Sequence, residues 1–149
     1  MNKVMIASFI KNNMEPFDFT GGVNSRQINS VQDKLGVALP DSYRWFLSNF
    51  GSGGLFGVDI LGIAKSNIAP IINETKVYRK LGLDSGLVVI ENMDEYAYCL
   101  NTKQMKDNEC PVIAWDKQGG IDNFNEANNF YEFLWNRLNE AKKSWEEGF

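Results

Sequence analysis

Between Leu39 and Gly54 the chain reads LPDSYRWFLSNFGSGG. Tyr43, Phe46, Leu47 and Phe50 fall at i, i+3, i+4 and i+7, so a helix through them gathers one aromatic stripe. Pro40 suits the first helical position, where its missing N–H removes no hydrogen bond. Asp41 lies in the first turn, where the helix dipole favours a carboxylate. Gly51 fits the position just past the last turn. A helix this aromatic must be buried against other elements, and the glycines must turn the chain sharply into whatever follows. Trp45 lies off the stripe and is expected to cover the preceding loop.

The rest of the chain supplies elements for that helix to pack on. Residues 3–11 carry Val4, Ile6, Phe9 and Ile10 partly at helical spacing and predict a first helix. The loop NNMEPFDFTGG follows, with Phe17 and Phe19 expected to tuck back onto the core. In NSRQINSVQDKLG, Asn24 and Gln27 have capping-box spacing, Ile28, Val31 and Leu35 form an apolar stripe, and Gly36 fits a left-handed cap. LFGVDILGI alternates as a strand does. The following segment predicts a helix beginning after Ser66 or Asn67. Pro70 then falls in its first turn, and Ile68, Ile71, Ile72, Thr75, Tyr78 and Leu81 face inward. GLVVIEN, YAYCLNT and CPVIAWD read as three strands joined by short turns, hence an antiparallel meander. KQGGIDNF reads as a loop. A last helix is expected from about Glu126 to Trp145, with Asn123 and Glu126 at capping-box spacing. Its apolar side carries Phe130, Phe133, Leu134, Leu138, Ala141 and Trp145. The order defines an α+β chain, helices packed on a mostly antiparallel twisted sheet, and residues 1–149 read as one domain.

Composition narrows the chemistry. The 149 residues contain no histidine, which removes Ser-His-Asp triads, Cys-His dyads and histidine metal sites. The net charge of −4 disfavours direct contact with a phosphate backbone and favours a basic protein partner. Mild acidity also serves solubility alone. Cys99 and Cys110 have no CxxC spacing and read as reduced, structural thiols of a cytoplasmic protein. No apolar run reaches the length of a membrane span, and the N-terminus lacks the pattern of a signal peptide. No cofactor or metal is implied.

The glycines of GSGGLFG follow a helix and precede an extended segment, and no lysine comes after them. A phosphate loop and a dinucleotide fingerprint need the opposite order, so a cap and a tight turn explain the run better. Glu91, Asp94 and Glu95 cluster at one strand turn, and Asp116 and Asp122 follow the third strand. Such carboxylates could perform acid–base work or hold a divalent cation, yet no ligand spacing accompanies them. They could equally be a solvated rim. Beside Tyr96, Tyr98 and Trp115, they also have the composition of a face that docks a basic protein, with Trp115 as an anchor.

The stretch from Leu39 to Gly54 resembles the signature of the SUKH superfamily, named from yeast cell-wall regulators and their bacterial relatives. The matching residues are Leu39, Pro40, Tyr43, Phe46, Leu47, Gly53 and Gly54. LVVIENMDEYAYCLNT is similar to the family's central hairpin, CPVIAWD to its next strand, and NNFYEFLWNRL to its final helix. The whole chain is also similar to small antitoxins paired with LXG-type polymorphic toxins. The resemblance implies a Knr-like α+β fold with no catalytic site. It implies an immunity protein that binds the C-terminal domain of a cognate toxin, often a nuclease, and blocks it. A regulatory scaffold for endogenous protein partners is the other role it implies. The toxin-contact surface varies between members and is not carried across. The residues themselves point to Glu91, Asp94, Glu95, Tyr96, Trp115, Asp116 and Asp122.

Overall fold

A computed structural model describes residues 2–64, 68–118 and 120–148, the side chains of 120–124 excepted. The chain forms helices α1 (Lys3–Asn13), α2 (Ser25–Leu35), α3 (Asp41–Phe50) and α4 (Pro70–Lys80), then strands β1 (Leu87–Asn92), β2 (Tyr96–Asn101), β3 (Val112–Asp116) and β4 (Gly120–Ala127), and ends in α5 (Phe130–Glu147). The strands form one antiparallel sheet in the order β1-β2-β3-β4. The architecture is the α+β meander with packed helices that the sequence predicts.

Local chemistry sets the helix ends. Asn24 and Gln27 make a reciprocal capping box at the start of α2, and Gly36 closes it at φ 69°. Ile28, Val31 and Leu35 are buried as the stripe requires. Pro40 is the N-cap of α3 and offers no side-chain acceptor. The acceptor comes from far along the chain: the Glu109 carboxylate takes hydrogen bonds from the Ser42 backbone N–H at 2.8 Å and from its hydroxyl at 2.5 Å. An anion at a helix N-terminus also meets the favourable end of the dipole.

The aromatic stripe of α3 is the centre of the core. Tyr43 stacks on Phe46 and meets Phe130 edge-on, and its hydroxyl donates to the Leu61 carbonyl at 2.5 Å. Phe46 and Leu47 are buried, and Phe50 packs on Phe19. Trp45 does not cover the preceding loop; it lies edge-on to Phe50 and to Tyr131 of α5.

The glycines after α3 form a crossing of three extended segments. Phe50 and Ser52 accept from Gly21 and Thr20, Gly51 accepts from Ile63, and Gly53 and Ile60 exchange both backbone hydrogen bonds. A Cβ on Gly53 would lie 2.1 Å from the Asp18 carbonyl oxygen, and one on Gly54 2.1 Å from that of Val58. Nothing larger than hydrogen fits, which is why the motif is glycine-rich.

Other expectations need correction as well. Residues 55–63 do not form a ladder strand: Leu55, Val58, Ile60 and Ile63 are buried, but the backbone makes one isolated bridge, between Ile60 and Gly53, and single bonds to Gly51 and Ile90. The KQGGIDNF loop and the residues after it instead supply β4, which pairs with β3 across two register shifts. The last helix therefore starts at Phe130, with Asn129 as its cap accepting from the Glu132 N–H. The expected Asn123 cap falls on a side chain outside the described residues. Helix α4 starts at Pro70, and Ile68 and Leu81 lie in solvent because they flank it rather than belong to it. Ser66 and Asn67 lie outside the described residues. Phe19 packs on the core as expected, but Phe17 is fully exposed. Trp145 is half-exposed at the end of α5.

Candidate functional site

The β1–β2 and β3–β4 turns emerge at the same end of the sheet, because Tyr96 pairs with Asp116 and the Glu95 carbonyl accepts from the Lys117 N–H. Asp94, Glu95 and Asp116 are exposed there. Asp94 takes φ 70°, and its N–H is received by the Asn92 side chain, which also accepts from the Tyr78 hydroxyl at 2.8 Å. The Asn92 amide in turn donates to Glu74. Asp116 accepts from the Gln118 N–H. Lys117 lies 5.3 Å from the Tyr78 ring centroid. Burial, with Glu74 and Asp94 nearby, raises the Tyr78 hydroxyl pKa above its ordinary value. Tyr96 is half-buried and meets Tyr98 edge-on at 5.4 Å.

Two of the residues proposed from sequence are not part of this surface. Glu91 is 3% exposed. It receives Arg137 Nε at 2.8 Å, Arg137 Nη2 at 2.7 Å and the Asp59 N–H at 3.2 Å, so both of its oxygens are used inside the protein. The paired carboxylate raises the Arg137 pKa. Trp115 is 6% exposed and packs edge-on to Tyr78 beneath α4, where it cannot anchor a partner. The side chain of Asp122 lies outside the described residues. The structure thus brings together Asp94, Glu95, Tyr96 and Asp116, and adds Glu74, which the sequence did not single out. A carboxylate on the solvent side of α4 carries no local sign that it faces a turn 18 residues away.

The chemistry available here is limited. Burial pushes the Cys99 and Cys110 thiols up to about 12, so neither is a thiolate near neutral pH. Among the described residues no group of three or more acidic or thiol side chains is placed to hold a metal ion. No helix among them is long and apolar enough to cross a membrane.

A buried scaffold thus carries exposed, charged hairpin turns at one end of its sheet. The family model described as SMI1-KNR4 cell-wall, SUKH_5, matches residues 3–139, and the chain belongs to that family. The family includes immunity proteins, and its members typically bind partner proteins without catalysis. A solved structure of a protein from Pseudomonas syringae pv. tomato is similar at 14% identity and a TM-score of 0.68, over 90% of this chain and 95% of that one. That likeness concerns the fold.

Proposed function

We propose that this chain is an immunity protein that neutralises a toxin domain, a nuclease by our reading, through stoichiometric binding. The family match over residues 3–139 carries the reading. The acidic turn end supports it. Nucleases are basic around the sites that hold nucleic acid, and Asp94, Glu95 and Asp116 are the charges that would steer such a surface. Tyr96 contributes an aromatic contact beside them.

The test is to look for a toxin gene beside this one and to co-purify its toxin domain with this chain. A one-to-one complex on gel filtration, with loss of nuclease activity, is expected. Asp94→Lys, Glu95→Lys and Asp116→Lys together should slow association by at least about tenfold at low salt. Absence of a complex overturns the reading, and unchanged association of the triple variant removes the acidic end from it. The cell-wall description of the family favours a second reading, a scaffold for endogenous partners. A gene that stands apart from any toxin gene would select it.

A further inference from the structure

Two hollows of about 460 and 220 Å3 lie on either side of a ring pair, Phe56 and Trp145, whose centroids are 6.2 Å apart. They share Phe56, Gly57 and Trp145 and so form one groove between the end of α5 and the 55–58 turn. Glu15 and Asp18 line one hollow and Glu140 the other. Arg137 is the basic residue lining the groove among the described residues, and its Nε and Nη2 are already held by Glu91. The loop that brings Glu15 and Asp18 to the groove also carries Met14, 43% exposed, and Phe17, fully exposed.

The backbone makes this arrangement unusual. Phe17 and Phe56 both take left-handed conformations, φ 73° and 55°, which bulky residues rarely adopt. Folding would ordinarily bury a phenylalanine or leave such a position to glycine or asparagine. Here a strained turn instead holds one ring in water and another on the wall of a groove. Backbone strain of this kind collects where a surface is shaped for a ligand.

We propose that this groove docks a segment of a partner protein in which an aliphatic or aromatic side chain is flanked by lysine or arginine. The apolar side chain enters beside Phe56 and Trp145, with Phe17 closing over it, and the cations meet Glu15, Asp18 and Glu140. The acidic rim selects the occupant. An anionic membrane would be repelled by it, and so would a second copy of a chain of net charge −4. The proposal rests on the reading of the chain as a protein-binding module, but it uses a surface that shares no residue with the Asp94–Glu95–Asp116 end.

The test is an NMR titration of the full chain with the peptide Ac-Lys-Leu-Lys-Phe-Lys-NH2, and with its counterpart in which every lysine is glutamate. Saturable shifts of the Trp145 indole N–H and the Phe56 and Gly57 amides are expected with the basic peptide alone. Trp145→Ala and Glu140→Lys, each checked for an unchanged fold by its amide spectrum, should raise Kd about tenfold. Asp94→Lys with Glu95→Lys should leave it unchanged. Shifts confined to the sheet turns, equal binding of the acidic peptide, or no saturable shift overturn the proposal. Two further results overturn it: tighter binding to vesicles rich in phosphatidylglycerol, and concentration-dependent dimerisation through the groove. A groove that binds the peptide in a chain that forms no toxin complex removes the immunity reading alone. A toxin complex with no peptide binding removes the groove alone.

Discussion

Arg137 of α5 grips Glu91 of β1 with two hydrogen bonds, 2.8 and 2.7 Å long, in a setting where the carboxylate is 3% exposed. A buried pair of this geometry draws both elements to the same point, because each ion has given up water and neither can leave the other uncompensated. The Arg137 guanidinium also lies 5.9 Å from the Tyr98 ring centroid. Glu91→Ala or Arg137→Ala alone should therefore destabilise the protein by about 3–5 kcal/mol, read from urea midpoints. The double variant Glu91→Leu, Arg137→Met should lose much less than the two singles added together, since no charge is then stranded. Additive losses would show that the pair does not act as a unit.

The glycine crossing gives a sharper prediction. A Cβ on Gly62 would lie 1.9 Å from the Gly51 carbonyl oxygen and 2.9 Å from Leu47. The neighbours are backbone and buried core, so neither yields. Gly62→Ala should cost on the order of 2–4 kcal/mol or abolish folding. Gly36 is the control. Its φ is 69°, but nothing lies within 4 Å of the added carbon. Gly36→Ala should cost only the left-handed strain, about 1–2 kcal/mol. Similar losses at the two sites, measured by chemical denaturation, would contradict the crossing.

The elements that depend on neighbouring residues were legible in the chain. The α2 capping box, its left-handed glycine and the three-strand meander all follow from local spacing, each strand pairing with the next one along the chain. What escaped depends on distant partners. Glu91 sits in an acidic run and reads as solvated, because its cation lies 46 residues away. Likewise Ser42 gives no sign that Glu109, 67 residues on, will cap its helix. Strand β4 carries Asp122, Asn123, Asn125 and Glu126, types depleted in strands, yet pairing with β3 overrides that preference. The 55–63 segment shows the reverse case: its alternation is real and its apolar residues are buried, but it meets β1 at one bond, Leu61 N–H to the Ile90 carbonyl, and Gly53 at one bridge, so among the described residues it builds no ladder. Among the proposed contact residues, the exposed turn carboxylates were legible because turns are solvent-facing by nature. Trp115 was not, because an aromatic residue at a strand end reads the same whether a helix covers it or not.

The thiols predict the alkaline limb of stability. Cys99 and Cys110 are buried, and desolvation pushes both up to about 12. In the unfolded chain they ionise near their ordinary value of about 9, so between roughly pH 9 and 12 the unfolded state binds fewer protons than the folded one. Their contribution is thus complete below pH 9 and is lost as pH rises through that window. The slope is up to about 1.4 kcal/mol per pH unit for each thiol. Below it, neither thiol should react with Ellman's reagent faster than the protein opens. Replacing both with alanine should flatten the limb, and fast labelling of the folded protein at pH 8 would show that the thiols are not sequestered.

The long-range cap of α3 offers a test of how the signature helix is held. Ser42 is fully buried, and its N–H and hydroxyl both end on the Glu109 carboxylate. Glu109→Ala leaves both donors of the buried Ser42 without their acceptor, a loss of about 2–3 kcal/mol. Glu109→Gln keeps an acceptor but removes the charge that faces the helix dipole, so about 1 kcal/mol should go. Ser42→Ala deletes one donor and leaves the N–H bonded, and should fall between the neutral and the severe case. Because the helix carries Tyr43 and Phe46 into the core, loss of the cap should also shorten the amide-exchange protection of Phe46 and Leu47 before global unfolding. An order in which Glu109→Gln equals Glu109→Ala would mean that the charge, rather than the hydrogen bonds to Ser42, holds the helix end in place.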